Sequence, residues 1–202
     1  MNTRIFYLRH AQSQVNVEED TAHWTLSALG YQQAEKLAQV LGATKFTKIY
    51  TSPYRRCIET IAPYCKKYDQ KYERCDDLKE RRLVLNYNKK NYQEVHRKSW
   101  IYFSFALPGC ESSHVAQDRI VSTLKMIARL HAGEQVLVSG HGQLLALLLN
   151  HIDSRFAYKN QSQIFNPDLR IFDVTQNQII EKSASNPLCD AVKKIAVPAV
   201  KF

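Results

Sequence analysis

A short apolar run that ends abruptly in an Arg-His pair constrains this chain more than any other feature. The run from Ile5 to Leu8 is aliphatic and aromatic, and it predicts a strand buried on both faces. Arg9 and His10 follow at once, and neither can be left unpaired in a core. In open parallel α/β sheets, ligands bind beyond the carboxyl ends of the strands. The pair therefore indicates a nucleophile or a phosphate clamp. On this stretch alone, a solvated Arg-His pair that begins an ordinary turn is an equally good interpretation.

The order of strand and helix signals predicts the fold class. Ser27 is expected to cap a helix that ends at Gly42, and Ser52-Pro53 is expected to open a second helix. Further helices are expected over 112–131 and after Gly142. Strands are expected at 46–51, 72–78, 135–139, 170–174 and 178–180, before a loose C-terminus. Strands that alternate with helices indicate an α/β fold with a mostly parallel sheet.

Length and composition indicate one globular domain over residues 1–202. The region around 81–111 is weakly periodic over much of its length, and we expect a helical excursion there that covers the site. Of the 202 residues, 45% are hydrophobic and 23% are charged, which is ordinary for a globular protein. No apolar run approaches the roughly 18 residues of a membrane span. Five cysteines without metal-ligand spacing predict free thiols in a reducing cytoplasm and no metal site.

The net charge of +9 predicts an anionic partner. The basic residues of the chain are dispersed, with small groups such as Arg55-Arg56 and Lys66-Lys67. No long basic arm or nucleic-acid motif accompanies them. A small anionic substrate is therefore the better prediction than a nucleic acid.

Four polar features follow predicted strands and are expected to meet at one sheet edge. Arg9-His10 follows the first strand, Arg56 lies just inside the helix after the second, Glu80 follows the third and His141 follows the fourth. Arginine suits bidentate phosphate recognition. A neutral imidazole can take a phosphoryl group, and a carboxylic acid can protonate the leaving oxygen and then activate water. The set therefore favours metal-free phosphoryl transfer.

The motifs that carry these residues resemble those of the histidine phosphatase superfamily, in its phosphoglycerate mutase-like branch. They run in the family's order from residue 5 to about 150. The matching segments are Arg9-His10-Ala11 with Asn16, Leu26-Ser27 with Gly30 and Gln33-Ala34, Ser52 to Cys57 with Thr60, Leu78 to Glu80, Pro108 to Ser112 with Arg119, and His141-Gly142. The tail from Asp153 onward shows no usable match.

The resemblance implies a three-layer α/β/α sandwich and a role for each site residue. His10 would be the nucleophile that becomes phosphohistidine, and Glu80 would be the proton donor and then the base for water. The phosphoryl oxygens would be held by Arg9, Arg56 and His141. The same pocket would be lined by Asn16, Ser13 and Gly142. No metal or cofactor is implied, and the substrate would be a small phosphorylated metabolite or a phosphoprotein.

Two departures from the family pattern keep alternatives open. Ala11 replaces a glycine and would be strained if that position needs a positive φ. The residues after Glu80 are Arg81-Arg82-Leu83 rather than a glycine-rich segment, so Glu73 and Glu111 compete for the role of the acid. These departures motivate a non-catalytic phospholigand-binding module as one alternative.

A phosphoglycerate mutase is the other alternative. Glu80-Arg81 resembles the start of a mutase signature, but the residues that follow do not continue it, and the chain is short for a mutase. Phosphatase activity is therefore favoured. The sequence predicts neither the particular ester nor the oligomeric state.

Overall fold

The computed structural model describes residues 1–42, 44–85 and 89–198. In chain order the strands are β1 (Thr3–Arg9), β2 (Lys48–Thr51), β3 (Glu73–Arg74), β4 (Gln135–Gly140), β5 (Phe165–Asn166), β6 (Asp168–Val174), β7 (Ile179–Glu181) and β8 (Val197–Pro198). The helices are α1 (Ala28–Leu41), α2 (Arg55–Lys67), α3 (Lys89–Ile101), α4 (Ser113–Leu130), α5 (Gly142–Ile152) and α6 (Pro187–Lys193).

The central sheet has the strand order β3-β2-β4-β1-β6-β7. The first four of these strands are parallel, whereas β6 and β7 run antiparallel to their neighbours. The register places Arg9 of β1 beside Gly140 of β4, and Thr51 of β2 beside Ser139. The residues that follow these three strands therefore emerge side by side at one edge of the sheet.

Helices cover both faces of the sheet, as the alternation of side chains along β1 requires. Ile5 and Tyr7 face a core built with α4 and α5. Phe6 and Leu8 face the opposite core, which is built with α1, α2 and α6. The three-layer α/β/α sandwich with a mostly parallel sheet is thus confirmed.

Several predicted boundaries differ from the observed ones. The second strand begins at Lys48 rather than at residue 46, and α2 begins at Arg55, since Ser52 Oγ accepts a hydrogen bond from the Tyr54 N–H before the helix starts. The predicted strand over 72–78 is only two residues long and continues as a 3₁₀ turn (Asp76–Leu78), because it forms the exposed edge of the sheet.

The tail is more ordered than the sequence suggests. The predicted hairpin is present as β6 and β7, but the C-terminus also contributes α6 and the short strand β8, which pairs with β5. The predicted excursion contains α3, while its residues 86–88 lie outside the described residues.

None of the five cysteines forms a disulfide bond. Within the described ranges, no helix is both long enough and apolar enough to cross a membrane.

Candidate active site

A cavity of about 460 Å³ lies at the edge of the sheet where β1 and β4 end. It is bounded by the loop after β1, the start of α2, residues 80–84, α3, the start of α5 and the segment 158–166. Of the sequence-predicted site residues, those that line it are Arg9, His10, Ser13, Arg56, Glu80 and Gly142.

His10 is held as a neutral imidazole with one defined tautomer. Its side chain is 6% exposed, and its Nδ1 lies 2.7 Å from the Ala11 carbonyl oxygen. Since a carbonyl can only accept, Nδ1 carries the proton and Nε2 keeps its lone pair. Burial first, and then the charges of Arg56 and Arg9, hold the pKa of His10 well below its ordinary value. The geometry and electrostatics suit a nucleophile at Nε2.

Arg56 lies in the first turn of α2 and points into the site. Its Nε donates to His10 Nε2 at 3.2 Å, and its Nη1 donates to the Thr21 carbonyl. The neighbouring Arg55 is exposed and pairs with Glu59 at 2.8 Å. The register that the sequence favoured, with Arg56 rather than Arg55 in the site, is the one observed.

Arg9 approaches the cavity from the end of β1. Its Nη1 donates to the Ile164 and Phe165 carbonyls, both at 3.1 Å, while its buried Nε finds no hydrogen-bond partner among the described residues. Gly142 lies against the same guanidinium, because a Cβ at this position would come within 2.7 Å of Arg9 Cζ. The glycine after His141 therefore leaves room for the arginine.

Glu80 is the carboxylate that the structure brings to the cavity. Its Oε1 accepts from the Arg81 N–H at 2.9 Å, and its Oε2 accepts from the Gln143 N–H at 3.1 Å. Burial raises the pKa of Glu80, although these N–H groups and the Arg56 charge oppose the shift. A carboxyl group with a raised pKa is suited to donating a proton.

The two competing carboxylates are engaged elsewhere. Glu73 pairs with Lys48 at 2.8 Å at the edge of the sheet. Glu111 forms a two-pronged ion pair with Arg119, with bonds of 2.8 and 2.6 Å. Neither lines the cavity.

His141 lies behind Arg56 and is not among the residues that line the cavity. Its ring is fully buried, with its centroid 5.4 Å from that of His10. Arg56 Nη2 donates to its Nδ1 at 3.2 Å, so Nε2 carries the proton and donates to Ser52 Oγ at 2.7 Å. His141 is thus connected to the site through Arg56.

The two smaller loop residues differ in their placement. Ser13 lines the cavity, whereas Asn16 does not. Asn16 Oδ1 accepts from the Glu18 N–H at 3.1 Å, and its carbonyl accepts from Trp24 Nε1 at 2.7 Å. The Asn16 side chain is therefore occupied in its own turn.

Ala11 fits its position without backbone strain. Among the described residues, Asp69 and Ser185 are the non-glycine residues with a positive φ, and Ala11 is not one of them. Ala11 is fully buried, and its N–H donates to Thr60 Oγ1 at 2.9 Å. The methyl group is accommodated, and the strain considered above does not occur.

Part of the cavity wall, formed by α3 and the segment 158–166, was not predicted from the sequence. His96, which is not among the residues predicted for the site, lines the cavity from α3 and accepts from Trp100 Nε1 at 3.2 Å. Burial lowers its pKa to about 4. The i, i+4 spacing of Tyr92, His96 and Trp100 could have shown that they share one helix face. Gln161 and Asn166 also line the cavity, and no motif marks them.

The cavity is strongly positive. The charged residues that line it are Arg9, Arg56, Arg81, Arg82, Lys159 and Glu80. Arg81 is 4% exposed, and burial lowers its pKa to about 10. Among the described residues, Nε and Nη1 of Arg81 donate to the Glu111 carbonyl and to the hydroxyls of Ser99 and Ser113, while its buried Nη2 has no hydrogen-bond partner. Five cationic groups and one carboxylate give the cavity a net positive charge, which favours an anionic ligand over a cationic one.

The sandwich and the groups gathered at its carboxyl edge define a phosphoglycerate mutase-like α/β domain with a positively charged cavity. A model of the histidine phosphatase superfamily, branch 1, matches residues 5–185. The chain therefore belongs to the histidine phosphatase superfamily.

Individual relatives agree with this assignment. Phosphoglycerate mutase-like protein 4 of Arabidopsis thaliana is 28% identical over 184 residues, which cover 83% of this chain and 78% of the relative. The solved phosphoglycerate mutase of Bacillus anthracis superposes with a TM-score of 0.73 at 20% identity and covers 96% of both chains. A mycobacterial glucosyl-3-phosphoglycerate phosphatase gives a TM-score of 0.72 at 19% identity, covering 90% of this chain and 97% of its own.

Proposed function

We propose that this protein is a metal-independent phosphomonoesterase that acts through a phosphohistidine on His10. The observation that carries the proposal is the placement of a neutral His10 Nε2 beside the Arg56 guanidinium, with Arg9 and Glu80 lining the same cavity. The family contains phosphatases and mutases, so a phosphoryl-transfer enzyme is the class within which the mechanism is argued.

In the first step the phosphate dianion binds to Arg9 and Arg56, replacing the Arg56–His10 hydrogen bond. His10 Nε2 attacks phosphorus, the bond between phosphorus and the ester oxygen breaks, and protonated Glu80 gives its proton to the departing oxygen. The Ala11 carbonyl holds the Nδ1 proton throughout and stabilises the positive charge that develops on the ring. His141 is a positioning residue that orients Arg56.

In the second step the ionised Glu80 accepts a proton from water. The water oxygen bonds to phosphorus, the Nε2–phosphorus bond breaks, and inorganic phosphate leaves. Glu80 and His10 thereby return to their starting protonation states, so no other proton donor is needed.

The donor set of the cavity supports chemistry without a metal cofactor. Guanidinium groups bind phosphate oxygens and repel cations. Among the residues that the structure describes, no three His, Cys, Asp or Glu side chains form a group that could hold a metal ion.

The positive charge of the cavity also bears on the substrate. A phosphate dianion leaves much of the excess charge uncompensated, because Arg81, Arg82 and Lys159 line the same cavity as Arg9 and Arg56. A leaving group that carries its own carboxylate or phosphate would pair with these additional cations. The volume of about 460 Å³ is typical of small-molecule sites, so we propose an acidic phosphorylated metabolite rather than a phosphoprotein. The glucosyl-3-phosphoglycerate in the name of the mycobacterial relative belongs to this chemical class.

The free thiols of all five cysteines are compatible with a reducing compartment, and we propose a cytoplasmic location.

Turnover of an aryl phosphate in the presence of a chelator tests the proposal. Wild type is expected to release inorganic phosphate, and His10→Ala is expected to release none. His114→Ala is the matched control, because His114 is exposed and pairs only weakly with Asp118 at 3.4 Å. Activity that survives in His10→Ala would overturn the assignment, and phosphate transfer to a second hydroxyl without release would identify a mutase.

A further inference from the structure

One buried glutamine, Gln33, contacts three separate parts of the chain. It is 2% exposed on α1 and does not line the cavity. Its Oε1 accepts from the Gln12 N–H at 2.9 Å. Its Nε2 donates to the Asn166 carbonyl at 2.9 Å and to the Ile195 carbonyl at 3.0 Å.

Each of these contacts leads to the phosphoryl site or to the segment that supports it. Gln12 lies in the loop after His10 and itself lines the cavity. Asn166 Nδ2 donates to the His10 carbonyl at 2.9 Å. The two residues before Asn166 supply the carbonyl groups that hold Arg9 Nη1. One amide thus contacts the loop after His10 directly and the His10 carbonyl indirectly, through Asn166.

The third contact brings in the C-terminus. Ile195 follows α6, and the next strand, Val197–Pro198, pairs antiparallel with Phe165–Asn166. The C-terminal segment therefore lies over the segment 164–166, and Gln33 ties both to α1.

We propose that Gln33 is a positioning residue for His10, and that it acts through Asn166 and through the loop that contains Gln12. The claim rests on the proposed function, because it assigns Gln33 to the alignment of that nucleophile. Catalysis requires alignment to within a fraction of an ångström, and a displacement of about 1 Å can cost about 100-fold in rate. Loss of the amide leaves one N–H and two carbonyl groups without their partner, so the backbone around His10 is expected to shift.

The test compares Gln33→Leu with Gln32→Leu, which changes the exposed neighbour on the same helix. With an aryl phosphate, Gln33→Leu is expected to lower kcat about 10- to 100-fold with little change in KM, while Gln32→Leu matches wild type. Asn166→Ala is expected to lower kcat as well, and the double variant should lose less than the product of the two single losses, because part of the effect of Gln33 passes through Asn166. Equal kcat in Gln33→Leu and Gln32→Leu, or multiplicative losses in the double variant, would overturn the proposal.

Gln33→Glu keeps the test decisive if Gln33→Leu does not fold. This variant retains the acceptor for the Gln12 N–H but removes both donors at high pH. Protonation of the introduced carboxyl restores one donor, so its kcat relative to wild type should rise as the pH falls. A ratio that stays flat with pH would argue against positioning.

A second readout separates this proposal from the catalytic one. If wild type turns over no ester, the NMR signals of the His10 ring are compared in the same variants. Shifted His10 signals in Gln33→Leu, with wild-type signals in Gln32→Leu, would support positioning while the phosphatase assignment fails. Unchanged His10 signals in Gln33→Leu would refute positioning.

Discussion

Replacing Arg56 by alanine tests the charge arrangement around His10 most directly. Arg56 donates to His10 Nε2 at 3.2 Å and to His141 Nδ1 at 3.2 Å, and its side chain is 5% exposed. In the proposed mechanism the same guanidinium binds the transferring phosphoryl group. The variant therefore removes a cation from the floor of the cavity and leaves the two imidazoles facing an empty space.

The expected loss of kcat/KM in Arg56→Ala follows from the hydrogen bonds that the variant removes. A charged hydrogen bond contributes about 1.5–3 kcal/mol, and a guanidinium can make two such bonds to a phosphoryl group. Their loss corresponds to about 3–6 kcal/mol, or roughly 200- to 30,000-fold in kcat/KM. The variant should also raise the pKa of His10, because the Arg56 charge is second only to burial among the causes that lower it.

The assay combines steady-state kinetics on an aryl phosphate with an NMR titration of the His10 ring. Arg55→Ala is the matched control, since Arg55 is the preceding residue and its exposed ion pair with Glu59 contributes little. Arg56→Lys should recover only part of the loss, because an ammonium cannot provide the two-pronged contact. Equal losses at the two positions would refute the assigned register, and an unchanged His10 pKa in Arg56→Ala would refute the electrostatic account.

Three further outcomes are expected. Glu80→Gln should slow turnover by about 100-fold while inorganic phosphate still binds, and a wild-type rate in this variant would move the acid to another residue. With an ester that needs a protonated Glu80, kcat should fall as the pH rises through the raised pKa of this group. On the acid side, the depressed pKa of His10 should keep the nucleophile neutral and active below pH 6.5. Activity that is lost as the pH falls through 6.5 would contradict the argument from burial. Arg81→Gln should lower kcat/KM for acid-bearing phosphate esters at least about 10-fold more than for a neutral aryl phosphate, and equal losses for both would show that Arg81 only supports the fold.

The local sequence was sufficient for most of the elements before the C-terminal tail and for the residues that follow the strands. The run from Ile5 to Leu8 is buried on both faces because its residues alternate between two cores, and this pattern is visible in one dimension. The carboxyl ends of parallel strands meet at one edge, so the convergence of Arg9-His10, Arg56 and Glu80 could be expected from their order alone.

Other features of the site depend on contacts between distant parts of the chain. The carbonyl groups that hold Arg9 come from Ile164 and Phe165, and the amide that holds His10 comes from Asn166, all more than 150 residues away in the chain. Backbone carbonyls have no sequence signature, because every residue carries one.

Tertiary packing also decides between candidate site residues of the same type. Glu73, Glu80 and Glu111 are the same residue type. Only the packing shows that Glu73 pairs with Lys48 and that Glu111 pairs with Arg119. Similarly, His141 lies behind Arg56 rather than on the cavity wall. Sequence determines which chemical groups reach this edge of the sheet, whereas burial and partners, which arise only when distant segments pack, determine the protonation and orientation of each group.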